Sequence, residues 1–136
     1  MNWKNITILA FVVSMIILTG CTKIEDEVIG NWNFQTFDTR PSGTVSWTFH
    51  DDGKLTRTYM HEGVTSFDTS HYSINHSKSK KRIIITKGGI KAGLVDVNGT
   101  YRVEEFRNDI IKMTRIKTSR CEEDGAAYLR CELARK

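Results

Sequence analysis

The stretch Thr44-Val45-Ser46-Trp47-Thr48-Phe49-His50 has the clearest strand pattern in the chain. Its large apolar residues, Val45, Trp47 and Phe49, alternate with polar ones, and such alternation puts one set on the buried face of a sheet and the other in solvent. The sequence Asp51-Asp52-Gly53-Lys54 that follows is typical of a tight turn. The pattern therefore predicts a strand that continues into a hairpin.

The same two-residue period recurs along most of the chain. Trp32 and Phe34 alternate with polar residues, His61-Glu62-Gly63 has the composition of a hairpin turn, and Asn98-Gly99 that of a two-residue hairpin turn. Hardly any segment has the three-to-four-residue period of a long helix. Because a series of hairpins leaves unpaired edges unless the sheet closes on itself, we predict an all-β fold, an antiparallel up-and-down β-barrel of about eight strands.

Two finer expectations concern individual strands. Asn98-Gly99 is the strongest turn signal in the sequence, so we expect it to join a strand just before it to a strand over Thr100–Phe106. In the segment Val64–Ile74 the large residues change parity between Phe67 and Tyr72. That change predicts a β-bulge within the segment.

The beginning of the chain is a segment of another kind. Lys4 precedes an apolar run from Ile6 to Leu18, which has the length of a signal-peptide core and is short for a membrane span. The run ends in Leu18-Thr19-Gly20-Cys21, which resembles the lipobox of bacterial lipoproteins. That resemblance implies that residues 1–20 are removed and that Cys21 is acylated, so that membrane lipid holds the protein. The alternative is an uncleaved anchor helix with an ordinary buried cysteine.

These features divide the chain and predict its location. Residues 1–20 are the expected lipoprotein signal peptide, residues 21–28 the acylated cysteine with a short tether, and residues 29–136 the barrel domain. The acidic stretch after Lys23 resembles the surface-export signal of some Bacteroidetes lipoproteins, and Thr22 is not the aspartate that retains lipoproteins at the inner membrane of enteric bacteria. We therefore expect a lipid-anchored protein of the bacterial cell envelope, at the outer membrane, on its periplasmic face or on the cell surface.

The two remaining cysteines suit an exported protein. Cys121 and Cys131 form an even pair in a compartment where disulfides persist, so we predict a disulfide between them. The alternatives are two free buried thiols or a metal-binding pair. The separation of the two cysteines lacks the Cys-x-x-Cys spacing typical of zinc ligands, and no histidine lies near either one in sequence.

Several short motifs resemble those of lipocalins. Gly30-Asn31-Trp32 matches the Gly-x-Trp motif that opens the lipocalin barrel, and the stretch from Trp47 to Thr56 is similar to the second hairpin of small lipocalin-like lipoproteins of Bacteroidetes. The run from Tyr101 to Met113 resembles a later hairpin of that group. The resemblance covers most of the chain from Ile29 to Leu133 and implies a lipocalin-like barrel. It also implies that a basic residue of the last strand packs over the opening tryptophan, here Arg130 or Arg135 over Trp32.

Two functions follow from such a barrel. In the first, it binds a small apolar ligand inside, with Trp47 along the path of the ligand and Trp32 as a plug at the closed end. The candidate ligand-binding residues share the inward faces of the predicted strands: Phe34, Trp47, Phe49, Tyr101, Val103, Ile111 and Met113. In the second, the barrel is filled and acts through its outer surface, as a protein-binding or inhibitor module of the envelope. The volume of the interior distinguishes the two.

Other classes of function lack a sequence signal. The formal net charge is +4 at pH 7, a modest excess without the concentrated basic patch of a nucleic-acid-binding protein. The four histidines lie at turns or on polar strand faces and have no metal-ligand spacing: His50, His61, His71 and His76. No nucleophile elbow, phosphate-binding glycine loop or cysteine–histidine motif is visible. We therefore expect a monomer that is not an enzyme, has no cofactor or metal and does not bind nucleic acid.

Overall fold

The structure is a computed structural model that describes residues 24–36, 43–77, 80–88, 96–118 and 129–136. It contains one short helix, α1, over Ile24–Val28. The strands are, in chain order, β1 Gly30–Thr36, β2 Thr44–Phe49, β3 Lys54–His61, β4 Val64–Ser77, β5 Lys80–Thr86, β6 Gly99–Phe106, β7 Ile110–Lys117 and β8 Arg130–Arg135. The predicted signal peptide and lipidation site, including Cys21, lie outside the described residues.

The strands form a closed antiparallel barrel in which each strand pairs with the next one in sequence. β8 returns to β1, where Trp32 lies opposite Arg135 and Thr36 lies opposite Cys131. This pairing removes the two free edges that an open sheet of hairpins would leave. The predicted all-β, up-and-down barrel of about eight strands is thus confirmed.

Turn chemistry sets the register of the first hairpins, as the sequence predicts. Gly53 has a positive φ of 79°, and the backbone amide of Lys54 donates a hydrogen bond to Asp52 Oδ1 at 3.1 Å. At the next turn, Glu62 and Gly63 have φ values of 47° and 78°, so both central residues take the left-handed conformation of a tight hairpin turn. His61 consequently pairs with Val64.

Two of the finer predictions are wrong. β4 pairs with β3 without a register shift, so Phe67 lies on the outer face and is exposed, and no bulge is needed. Asn98 does not turn between two strands: its side chain bonds the backbone of Gly88, and Gly99 begins β6 opposite Ile85 of β5. Gly99 is required there for close packing, since a Cβ would lie 2.2 Å from the carbonyl oxygen of Lys117.

The helix α1 covers one end of the barrel, which we call the lower end. Ile24 and Val28 are buried, and the indole nitrogen of Trp32 donates a hydrogen bond to the carbonyl oxygen of Val28 at 2.8 Å. A helix of five residues has little stability of its own, so these contacts hold it. Residues 24–28 therefore belong to the folded body rather than to a tether, and the predicted tether shortens accordingly.

A basic residue of β8 closes the lower end over Trp32, and it is Arg135. Its guanidinium carbon lies 4.4 Å from the centre of the Trp32 ring, and its nitrogens donate to the carbonyl oxygens of Asn108, Ile29 and Glu27. The assignment of this role to Arg130 is wrong. Arg130 lies beyond the last β1–β8 pair, opposite Thr114 of β7, about 17 Å along the strand from Arg135.

We expect Arg135→Ala to lower the free energy of unfolding by about 1–3 kcal/mol, because it removes both the cation–π contact and the bonds to three carbonyls. Arg130→Ala, at an exposed position of the same strand, is expected to cost less than about 1 kcal/mol. Urea unfolding of the two variants checks this order. Equal losses would contradict the role of Arg135 at the lower end.

Candidate functional site

The inward-facing residues of the barrel are the site that the sequence singles out. The structure brings the predicted set together, because strand alternation sends every second side chain of each strand into the interior. Phe34 stacks on Trp47 with ring centres 4.7 Å apart, and Trp47 meets Phe49 at 6.1 Å. From the other side of the barrel come Tyr101, Val103, Ile111 and Met113. Their role in binding a ligand stays a prediction.

The interior around these residues is filled. Trp47, Tyr101 and Ile111 have 0% of their surface exposed, and Phe49 and Met113 have 1%. A side chain with no accessible surface has no room beside it even for one water molecule. A ligand cavity of about 300–1,000 Å³ would leave exposed area on its lining. These residues pack against one another instead.

The most polar feature of the interior is an ion pair that the sequence reasoning missed. Arg57 on β3 and Asp68 on β4 lie directly opposite each other, with 1% and 5% of their surfaces exposed. Arg57 Nε donates to Asp68 Oδ1 at 2.8 Å, and a second guanidinium nitrogen bonds Oδ2, so the contact is bidentate. Such a fork is the strongest arrangement for an arginine–carboxylate pair.

The signal for this pair is present in the sequence. The two-residue turn at Glu62-Gly63 fixes the register of the β3–β4 hairpin, and that register puts Arg57 opposite Asp68. Arg57 also has the same parity as Leu55, which is buried. A charged residue on each inward face, at facing positions, predicts a buried ion pair.

Other polar groups inside the barrel differ in whether they have a hydrogen-bond partner. The Tyr101 hydroxyl donates to the carbonyl oxygen of Val97 at 2.7 Å, and Arg115 Nη1 donates to the carbonyl oxygen of Asp96 at 2.6 Å. The indole nitrogen of Trp47 is buried and has no acceptor among the residues that the structure describes. An unsatisfied donor of this kind costs roughly 1–3 kcal/mol.

The prediction of a disulfide between Cys121 and Cys131 is wrong. Cys131 is a free, buried thiol, and its Sγ donates a hydrogen bond to the carbonyl oxygen of Met113 at 3.7 Å. Cys121 lies outside the described residues. The physical reason is parity: Cys131 shares the inward face of β8 with Leu133, so its sulfur turns toward the side chains of other strands. Burial raises the pKa of the Cys131 thiol to about 12, so it is unreactive in the folded protein.

We expect stability to fall at alkaline pH. Burial raises the pKa of Cys131 from 9.0 to about 12. The pKa of Tyr101 is raised above its ordinary 10.0, mainly by burial and to a smaller extent by the nearby Cys131. Both groups deprotonate first in the unfolded chain, so the stability that they contribute is complete below pH 9 and declines above it. Each group lowers the free energy of unfolding by about 1.4 kcal/mol per pH unit while only the unfolded form is ionised.

Urea unfolding between pH 8 and pH 11 measures this decline. Cys131→Ala removes the thiol and should make the slope shallower from pH 9 to pH 10, whereas Tyr101→Phe should act only above about pH 10. A stability that stays constant over this range in the unmodified protein would contradict the burial of both groups.

The described residues line three open clefts near the ends of the barrel, and the smallest, of about 350 Å³, lies at the upper end between residues 84–87, 98–100 and 117–118. The mouth cleft is at the upper end, has a volume of about 550 Å³, and is lined by Asn33, Phe34, Gln35, Thr36, Gly43, Thr44 and Val45. The lower cleft is beside α1, has a volume of about 540 Å³, and is lined by His76, Ser77, Lys80, Lys81, Val103, Glu104 and Phe106. Of the predicted ligand-binding residues, Phe34 reaches the mouth cleft and Val103 the lower cleft, and the others line neither.

The histidines are dispersed. His50 Nε2 lies 3.0 Å from Thr56 Oγ1, and His76 Nε2 lies 3.1 Å from Glu25 Oε1. Among the described residues, no three histidine, cysteine, aspartate or glutamate side chains are arranged to hold a metal ion. The described part of the chain also holds no helix with the length and apolar character that a membrane crossing requires.

Comparison with known proteins returns no relative: no protein-family model, curated protein or solved structure matches this chain.

Proposed function

We propose that this protein is a lipid-anchored, non-catalytic barrel of the bacterial cell envelope that acts through its outer surface, by binding another protein. The observation that carries the proposal is the filled interior. Trp47 and Tyr101, which would have to line an internal ligand site, have 0% of their surface exposed. A barrel that leaves no internal space must act through its outer surface.

One hairpin of that surface stands out. The large hydrophobic residues with more than half of their surface exposed, among those described, are Met60 at 52%, Val64 at 66% and Phe67 at 61%. All three belong to the β3–β4 hairpin. Met60 lies opposite Thr65 and Phe67 opposite Thr58, so Met60 and Phe67 are diagonal neighbours on the outer face. Val64, opposite His61, lies on the other face of the hairpin. Exposed apolar residues that are neighbours on one face, as Met60 and Phe67 are, are typical of a protein-binding site.

The position of this hairpin fits a protein partner better than the bilayer of the anchor. Leu55 at the start of β3 pairs with Phe49, which pairs with Gly30 at the lower end. The turn at Glu62-Gly63 is consequently at the upper end, away from α1 and from the proposed acyl chains on Cys21. A hairpin that points away from the membrane meets other envelope proteins first.

Site-specific photocrosslinking in cells tests the proposal. A photoreactive phenylalanine analogue at position 67 should give a discrete adduct, and Met60→Ser in the same chain should remove it, because the two positions share one patch. The same analogue at position 132, on β8, serves as the control and should give no such adduct. An adduct that Met60→Ser leaves unchanged, or no adduct at position 67, contradicts the proposal.

The anchor has its own test. Because acyl chains are built on the thiol of Cys21, Cys21→Ser should abolish labelling by a fatty-acid probe and leave the precursor unprocessed. Normal processing and labelling of the serine variant would contradict the lipoprotein assignment.

A second candidate function is the binding of a small apolar ligand at the mouth cleft. The observation that favours it is that Phe34 and Val45 line this cleft of about 550 Å³, with Phe34 stacked on Trp47. A ligand there would report itself through the fluorescence of Trp47. We expect Val45→Ser to weaken such binding, and the absence of any response to apolar probes would exclude it.

A further inference from the structure

The lower cleft lies where two neighbouring strands of the barrel, β5 and β6, are no longer paired. β5 and β6 pair from Arg82 opposite Arg102 to Ile85 opposite Gly99, and not below. Lys80 and Lys81 therefore have no strand partner on β6, while β4 and β5 stay paired as far as Ser77 opposite Lys80. The gap between this hairpin and the end of β6 forms the cleft of about 540 Å³.

The cleft carries uncompensated positive charge. Neither Lys80 nor Lys81 has an ion pair with a carboxylate among the described residues. The acidic lining residue, Glu104, is engaged elsewhere: its Oε1 accepts from Arg102 at 3.2 Å and from Thr114 at 2.9 Å. Two ammonium groups therefore remain available to an anion.

The floor of the same cleft is apolar. Val103 and Phe106 are half-buried there, and Lys81 Nζ lies 5.7 Å above the centre of the Phe106 ring. The apolar floor offers no favourable contact to free phosphate, whereas a molecule with a phosphate and an attached acyl chain matches both the lysines and the apolar floor. The lining thus favours an anionic amphiphile.

The cleft also lies near the proposed anchor. His76, at its edge, contacts Glu25 of α1 at 3.1 Å. α1 begins at Ile24, so at most about 10 Å of chain separates it from Cys21. Acyl chains on Cys21 would therefore hold the lower end against the phosphate layer of the bilayer.

We propose that the lower cleft binds the phosphate headgroup of an anionic membrane lipid, with Lys80 and Lys81 on the phosphate and Phe106 beneath the glycerol and upper acyl carbons. This inference rests on the proposed lipid anchor, which brings the cleft to the membrane. Headgroup binding would orient the barrel with the β3–β4 hairpin away from the bilayer.

Native mass spectrometry of the mature protein in detergent tests this site. Phosphatidylglycerol, phosphatidylcholine and inorganic phosphate are added separately. We expect one tightly bound phosphatidylglycerol, weak phosphatidylcholine binding, and a loss of affinity for phosphatidylglycerol of about twenty-five-fold in Lys80→Gln/Lys81→Gln, since each lysine contributes about fivefold near an anionic surface. Lys87→Gln/Lys117→Gln removes the same charge at the upper end and should change little. Thermal melting confirms that both double variants are folded.

The outcomes separate the ligand sources and the two proposals. Phe106→Ala should weaken phosphatidylglycerol but not inorganic phosphate, as an amphiphile site requires. Inorganic phosphate that binds as tightly as phosphatidylglycerol would overturn the lipid as the source, and equal losses in the two double variants would overturn the cleft as the site. The same spectra report the acyl mass on Cys21: its absence contradicts the anchor, whereas its presence without preference for phosphatidylglycerol contradicts the cleft alone.

Discussion

Asp68→Ala is expected to lower the free energy of unfolding by about 3–5 kcal/mol, because it leaves the Arg57 guanidinium charged and buried without its carboxylate. Arg57 has 1% of its surface exposed, so its guanidinium is out of contact with bulk solvent. Arg57→Ala is expected to lower the free energy of unfolding by a similar amount, since it leaves the Asp68 carboxylate buried without its arginine and also opens a cavity. Urea or thermal unfolding of both variants measures these losses.

The double variant Arg57→Met/Asp68→Leu separates the charge from the packing. Replacing both partners by apolar side chains of similar shape removes the cost of burying two charges, so we expect stability to return to within about 1 kcal/mol of the unmodified protein, or to exceed it. A double variant as unstable as the single ones would show that the site requires the pair itself.

A group of three charged residues on the outer surface provides the control. Glu105 binds Lys112 at 2.8 Å and Arg107 at 2.6 Å on the outer surface. Because solvent screens such contacts, the free energy of unfolding should fall far less in Glu105→Gln than in Asp68→Ala. Comparable losses at Asp68 and at Glu105 would contradict the difference that burial makes.

The ion pair also bears on the register of the hairpin. A slip of one residue between β3 and β4 would turn either Arg57 or Asp68 outward and leave the other charge unpaired inside. The pair therefore disfavours misregistered hairpins in addition to the turn at Glu62-Gly63. This effect is independent of its contribution to net stability.

The architecture was predictable because its determinants are local. The alternation around Trp47 and the turns at Gly53 and Gly63 specify strands, faces and register without reference to the rest of the chain. Closure of the barrel then follows from the need to pair the first and last strands.

The wrong predictions concern features that depend on contacts between residues far apart in sequence. Asn98 has the composition of a turn residue, but its side chain is used by Gly88, ten residues away. Whether Arg130 or Arg135 reaches Trp32 depends on the β1–β8 register, which no turn between those strands fixes. Filling of the interior likewise depends on the sum of many side-chain volumes, which alternation does not determine.

Trp47→Ala decides between a filled barrel and a carrier. In a filled barrel the substitution removes an indole that packs between Phe34 and Phe49, and we expect it to lower the free energy of unfolding by about 3–5 kcal/mol. In a carrier with Trp47 along the path of the ligand, the main loss would be in binding of an apolar probe. Thermal unfolding together with probe titration measures both.

Added indole sharpens this test, because a filled barrel and a carrier differ in which protein an apolar ligand stabilises, the variant or the unmodified chain. The truncation leaves an apolar cavity in a filled barrel, and cavities of about 150 Å³ take up small aromatic molecules. Indole at ten times its dissociation constant should therefore stabilise Trp47→Ala by about 1.4 kcal/mol and leave the unmodified protein unchanged. Trp47→Phe, which keeps most of the volume, should respond less. Stabilisation of the unmodified protein by apolar ligands, lost on Trp47→Ala, would instead establish the carrier.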